Sequence, residues 1–77
     1  MSREEGMKIL AGKEQARRVF DVLSTGIKKS VVDLTLQLRI ADPRAVIRQI
    51  RDAGISVQDE WCKSNGKKYK RYWVQMA

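Results

Sequence analysis

Three arginines and three lysines are the residues of this 77-residue chain best suited to chemistry. Arg44, Arg48 and Arg51 recur at i, i+4 and i+7, which lines them along one side of a helix. No acidic residue falls within the row, although Asp52 lies at its edge. Arginine carries a planar fork of donors that fits guanine edges and phosphate oxygens. Lys67, Lys68 and Lys70 gather elsewhere, in a stretch from Lys63 to Ala77 that holds five basic residues and no acidic one. A cluster of that kind neutralises a phosphate backbone. The plainer alternatives are a solvated helix face for the arginines and protection of a strand edge for the lysines. Two basic features in separate parts of the chain, a formal charge of +7 and a pI near 10.0 point instead to one polyanionic partner, nucleic acid.

Catalysis finds little to work with. The chain has no histidine, the commonest general base and metal ligand. It has no phosphate-cradling glycine loop, no clustered metal-ligand set and no paired carboxylates. Asp59 and Glu60 are adjacent, so on a strand they face opposite sides. One domain of this size buries roughly 60–65% of its unfolded surface and leaves little room for a pocket. No enzyme activity, cofactor, metal or small-molecule substrate is expected. The single cysteine, Cys62, cannot form an internal disulfide, which fits a reducing cytoplasm, and is most simply a small packing residue. No apolar run approaches the roughly 18 residues needed to span a bilayer. The start, MSREEGMKIL, is too polar for a signal peptide. A cytoplasmic protein with no membrane partner is expected.

The arginine row needs a helix, and the stretch from Ser30 to Gly54 supplies two. Ser30 is a good N-cap, and Asp33 favours a helix start. Val31, Leu34 and Leu38 follow at helical spacing. Asp42 caps the second helix, and Pro43 suits its first position because its missing N–H has no helical partner there. Pro43 also disfavours helical geometry at Asp42, so the two helices cannot be one. Gly54 supplies the stop. Leu38 to Ala41 is then a short corner, with Arg39 on it, and the layout is helix-turn-helix. In the second helix, residues 43–53, Val46, Ile47, Ile50 and Ala53 share the apolar side, and Gln49 is read as nearer to it than the arginines are.

Ahead of this pair, Ala16, Val19, Phe20 and Leu23 define an amphipathic helix from Gly12 to Leu23, with Phe20 as a core anchor. Arg17 and Arg18 lie on its outer side, free for solvent or a phosphate. Ser24-Thr25-Gly26 ends it. Ile27-Lys28-Lys29 forms a short extended link that can pair with a later strand. Residues 1–11 show no clean period: Ser2 to Glu5 resembles a capping box, but Gly6 interrupts. They are expected to be a partly flexible segment that becomes ordered near Ile9, ahead of a domain over 12–77.

After Gly54 the period changes to two. Ile55 to Lys63 is predicted as a strand, Ser64-Asn65-Gly66-Lys67 as a hairpin turn and Lys68 to Gln75 as the returning strand. Tyr72 and Val74 share one face, with Tyr69 and Trp73 roughly on the other. A lone hairpin is marginal in water, so it must pack on the helices through Ile55, Val57 and some of the aromatics. Tyr69, Tyr72 and Trp73 could stack on unpaired bases, but so small a domain needs its large apolar side chains for packing, Trp61 included.

The segment ADPRAVIRQIRDAGISVQDEWCKSNGKKYKRYWV resembles the winged helix-turn-helix domains of small bacterial and phage or prophage DNA-binding proteins. The likeness lies in Ile50 to Gly54, Ile55 to Val57, Trp61 and Tyr69 to Tyr72, and it extends over about residues 12–75. It implies an α+β fold, three helices followed by a two-stranded β-hairpin wing. It also implies double-stranded DNA binding by a transcriptional regulator. The reader would be helix 43–53 in the major groove, through Arg44, Arg48 and Arg51, with the 63–71 hairpin on the backbone or minor groove through Lys67, Lys68 and Lys70. Arg39 is added as a DNA-binding candidate. Such domains gain specificity by pairing half-sites, so a homodimer on DNA is weighed, although no dedicated dimerisation helix is visible. Two rivals share the frame: a protein-interaction module, and an architectural or recombination-accessory DNA-binding protein.

Overall fold

The computed structural model describes residues 2–75. Met1, at the head of the expected flexible segment, and Ala77, the expected domain end, lie outside the described residues. The elements run α1 (Arg3–Ile9), α2 (Glu14–Leu23), β1 (Lys29–Ser30), α3 (Val31–Leu38), α4 (Pro43–Asp52), β2 (Gln58–Ser64) and β3 (Lys67–Trp73). The three strands form one antiparallel sheet in the order β1-β3-β2. This is the expected winged helix-turn-helix, with a fourth helix at the front and a third short strand.

Helix α1 is the element that the broken pattern hid. Ser2 caps it, its hydroxyl accepting from the Glu5 N–H at 3.2 Å. Gly6 does not break the helix. It is buried, and its missing side chain leaves room for the Phe20 ring of α2 to lie against the backbone. An exposed ion pair between Arg3 and Asp21 also joins the two helices, a contact worth little on its own.

The core lies between the helices and one face of the sheet. Leu10, Val19, Phe20, Leu23, Leu34, Ile40, Val46, Ile47, Ile50, Ile55, Tyr72 and Val74 are all buried in it. Helix α4 packs chiefly on α2. Both capping expectations for the helix pair hold. Ser30 and Asp33 form a complete capping box. Asp42 accepts from the Ala45 N–H at 3.4 Å, with Pro43 in the first turn. At the far end of α4 the Gly54 N–H reaches the Arg51 carbonyl and the Ile55 N–H reaches that of Ile50. This Schellman arrangement needs the left-handed backbone that Gly54 adopts (φ 95°).

That arrangement also shortens the predicted strand. Ile55 uses its N–H to close the helix, so it cannot pair. Ile55 and Val57 are buried as core residues, and β2 begins only at Gln58. Asn65 and Gly66 both take positive φ, 52° and 77°, as a two-residue type I′ turn requires. That turn sets the register: Ser64 faces Lys67, Trp61 faces Lys70 and Asp59 faces Tyr72. The link after α2 does pair, through Lys29 with Tyr72 and Ser30 with Arg71.

Candidate nucleic-acid interface

Helix α4 has two unlike sides. Val46, Ile47 and Ile50 are buried, while Arg44 and Arg48 stand exposed on the opposite side. Neither arginine has a hydrogen-bond or ion-pair partner among the described residues. Gln49, read as near the core side, is exposed. It lines a shallow surface depression with Asp42, Arg44, Ala45, Arg48 and Asp52. A residue one turn-step from Ile50 sits at the helix flank, and among the described residues none covers Gln49 there.

Arg51 behaves differently from the other two. Its Nη2 donates to the Val57 carbonyl at 2.9 Å and to Asp59 Oδ2 at 2.8 Å. Its guanidinium also lies over the Tyr72 ring, 5.9 Å from the centroid. Arg51 therefore ties the last turn of α4 to the base of the hairpin. One nitrogen reaches a carbonyl and a carboxylate while the flat guanidinium lies over a ring, and that stacking is work lysine does poorly.

The register gives the hairpin two distinct faces. On the face that continues from buried Tyr72 stand Asp59, Trp61, Lys63, Lys68 and Lys70. Lys70 lies over the Trp61 indole, 5.0 Å from the centroid, and 4.0 Å from Asp59 Oδ1. Lys67 and Lys68 are exposed at the turn and have no ion-pair partner among the described residues. On the other face Glu60 joins Lys28 at 3.0 Å and Arg71 at 3.2 Å. Lys28 also lies over Trp73, and Arg71 Nε donates to Cys62 Sγ at 3.0 Å. The hydrogen bond from Lys28 acts most strongly on the Glu60 carboxyl and burial, which opposes it, next; with the charges of Lys28 and Arg71 added, the carboxyl is held below the usual carboxylate range. Asp59 and Glu60 thus face opposite sides, as adjacent strand residues must.

Of the sequence candidates, Arg44, Arg48, Arg51 and Lys70 come together where α4 meets the hairpin, Lys68 extends that face to the tip, and Lys67, opposite Ser64, stands at the tip on the other face. Arg39 stands apart, exposed on the corner in the left-handed conformation (φ 55°). Arg18 is not left to solvent: its Nη2 donates to the Leu38 carbonyl at 2.9 Å, filling an acceptor at the end of α3. The aromatic assignments also resolve. Tyr72 is buried, Trp73 half-buried, Tyr69 exposed at its margin and Trp61 openly exposed. A packing role is expected of Trp61 as of the other aromatics, with no choice among them of which go in, and the structure leaves Trp61 exposed. The register set by the Asn65-Gly66 turn puts Trp61 opposite Lys70. Between the start of α3, Arg44 and the hairpin lies a recess of about 510 Å³, with Val31, Val32, Trp61, Tyr69 and Lys70 in its walls.

No group of three or more His, Cys, Asp or Glu side chains among the described residues is placed to hold a metal ion. No helix among them is long and apolar enough to cross a membrane. The model of one known family, described as a winged helix-turn-helix domain, matches residues 14–75. Comparison with curated proteins finds no match, and neither does comparison with solved structures.

Proposed function

Because the chain belongs to the winged helix-turn-helix domain family, a frame built for DNA binding, we propose that it is a sequence-specific binder of double-stranded DNA. It acts as a small transcriptional regulator of the bacterial or phage kind. Helix α4 enters the major groove, where Arg44 and Arg48 meet base edges and phosphates. The hairpin follows the backbone or the adjacent minor groove, with Lys63, Lys67 and Lys68 neutralising phosphates. Arg51 serves as a positioning residue that holds the two at a fixed angle. Arg39, on the corner before α4, adds a backbone contact. Two copies on neighbouring half-sites, roughly 34–36 Å apart, give the length of site that one reader helix cannot.

The observation that supports this reading is the pair of exposed arginines on α4, next to a hairpin with exposed tip lysines, all without an ion-pair partner among the described residues. A protein-interaction reading draws on a different observation, the exposed Val32 and Leu36 one helical turn apart on α3. Fluorescence anisotropy of a labelled random duplex, titrated between about 50 and 200 mM salt, separates the two. Four phosphate contacts imply a loss of affinity of a hundredfold or more over that range. No binding at low salt overturns the proposal. Binding that climbs cooperatively along long duplexes, without a preferred site, makes the protein architectural instead.

A further inference from the structure

The geometry points to a site for one unpaired nucleotide in the recess between α3, Arg44 and the hairpin, with its base stacked on Trp61. This inference rests on the DNA-binding reading and adds to it a class of DNA structure, a duplex carrying an unstacked base.

The recess has a flat apolar part and a cationic part. Trp61 is 68% exposed, whereas Trp73 is half-buried and Tyr72 buried. Val31 and Val32 extend the apolar wall. Arg44 supplies one positive charge and Lys70 a second that it shares with Asp59 at 4.0 Å, and none of the lining residues is acidic. Lys70 already lies over the Trp61 ring, so a cation and a stacking surface are held together before any ligand arrives. A nucleotide complements both parts: its base offers a π face to the indole and its phosphate takes the cations. The volume of about 510 Å³ suits a single small ligand and not a duplex.

The walls also fix where such a nucleotide comes from. Arg44 belongs to the helix proposed to read the groove, and Trp61 and Lys70 belong to the wing proposed to follow the backbone. A base leaving a strand held by both elements enters this recess directly. Inside an intact duplex both π faces of a base are covered by its neighbours, so away from a duplex end only an unpaired base can stack here. A second copy of the chain is a poor occupant, because each copy carries a formal charge of +7.

The test compares a paired duplex with the same duplex carrying one bulged 2-aminopurine, by anisotropy and by the fluorescence of the bulged base. The wild-type chain is expected to bind the bulged duplex roughly 5- to 100-fold more tightly and to quench the bulged base. Trp61→Ala is expected to erase that preference and the quenching while binding the paired duplex as before, and Trp61→Phe to keep part of both. Equal affinity of the wild type for the two duplexes overturns the nucleotide site while leaving duplex binding in place. A preference that survives in Trp61→Ala, or a Trp61→Ala loss equal on both duplexes, overturns it too. No binding to either DNA overturns this site and the DNA-binding reading together. Concentration-dependent self-association of the free protein that Trp61→Ala abolishes assigns the recess to a second copy and also overturns it.

Discussion

Replacing Gly6 with alanine should destabilise the domain, against the usual sign of a Gly→Ala change in a helix. Alanine in place of a helical glycine gains about 1 kcal/mol in intrinsic propensity. Here a Cβ would overlap Phe20 Cζ and stand 2.5 Å from Cε2 and 2.8 Å from Cε1. The nearer of these two falls short of the 3.4 Å where ordinary contact begins by about 1 Å. The obstacle is a ring in the core, with Phe20 fully buried between α1 and α2. It cannot swing into solvent. Overpacking of this kind costs about 1–3 kcal/mol, and an overlap this deep belongs at the upper end. The net loss is then on the order of 2 kcal/mol, a fall in Tm of roughly 10 °C for a domain of this size. Urea unfolding followed by circular dichroism measures it. Phe20→Leu supplies the matched background: with the ring shortened, Gly6→Ala should cost little or raise stability. A Gly6→Ala chain as stable as the wild type would refute the close approach of α1 to Phe20.

Arg48→Ala should weaken binding to a selected site more than to random duplex, and equal losses on both would sink its base-reading role. The double change Lys67→Ala with Lys68→Ala should weaken all sequences alike and reduce the salt slope by about 1.8, and an unchanged slope would remove the tip from the interface. Arg51→Lys keeps the charge but loses the flat guanidinium that lies over Tyr72. It should lower stability by about 0.5–1.5 kcal/mol and weaken every duplex, since the wing loses its tie to α4; full retention of both would show the tie to be idle. Glu60, held below the usual carboxylate range chiefly by Lys28, contributes stability that is complete above the ordinary glutamate pKa and lost as pH falls through its lower folded value. The Tm gap between wild type and Glu60→Gln should therefore be constant near neutrality and close in acid; a gap independent of pH would contradict this.

The helix-turn-helix was legible because each boundary has a local cause. Ser30, Asp42-Pro43 and Gly54 punctuate the chain through their own backbone chemistry, and Asn65-Gly66 does the same for the hairpin. What escaped depended on distant partners. Gly6 reads as a helix breaker until Phe20 is known to sit on it. Arg51 has the same spacing credentials as Arg44 and Arg48, yet Asp59 and Tyr72 claim it from the hairpin. Arg18 seems free until the end of α3 reaches it. Ile55 and Val57 alternate like strand residues but are buried one element early, because the cap of α4 uses the N–H of Ile55. Exposure of Trp61 depends on which side chains the folded hairpin meets, which periodicity does not encode.

Ser30 is at once the last paired residue of β1, opposite Arg71, and the cap of α3. The wing and the helix pair consequently share a fastening. A one-residue slip of β3 would turn Tyr72 out of the core and take away the strand partner that holds Ser30 extended for its capping role. Errors in strand register are thus penalised in a helix, and fraying of that helix loosens the wing. Amide hydrogens of α3 and of the β1–β3 pairing should accordingly exchange together, as one cooperative unit, with the longest-lived protection reserved for α2 and α4 beneath them.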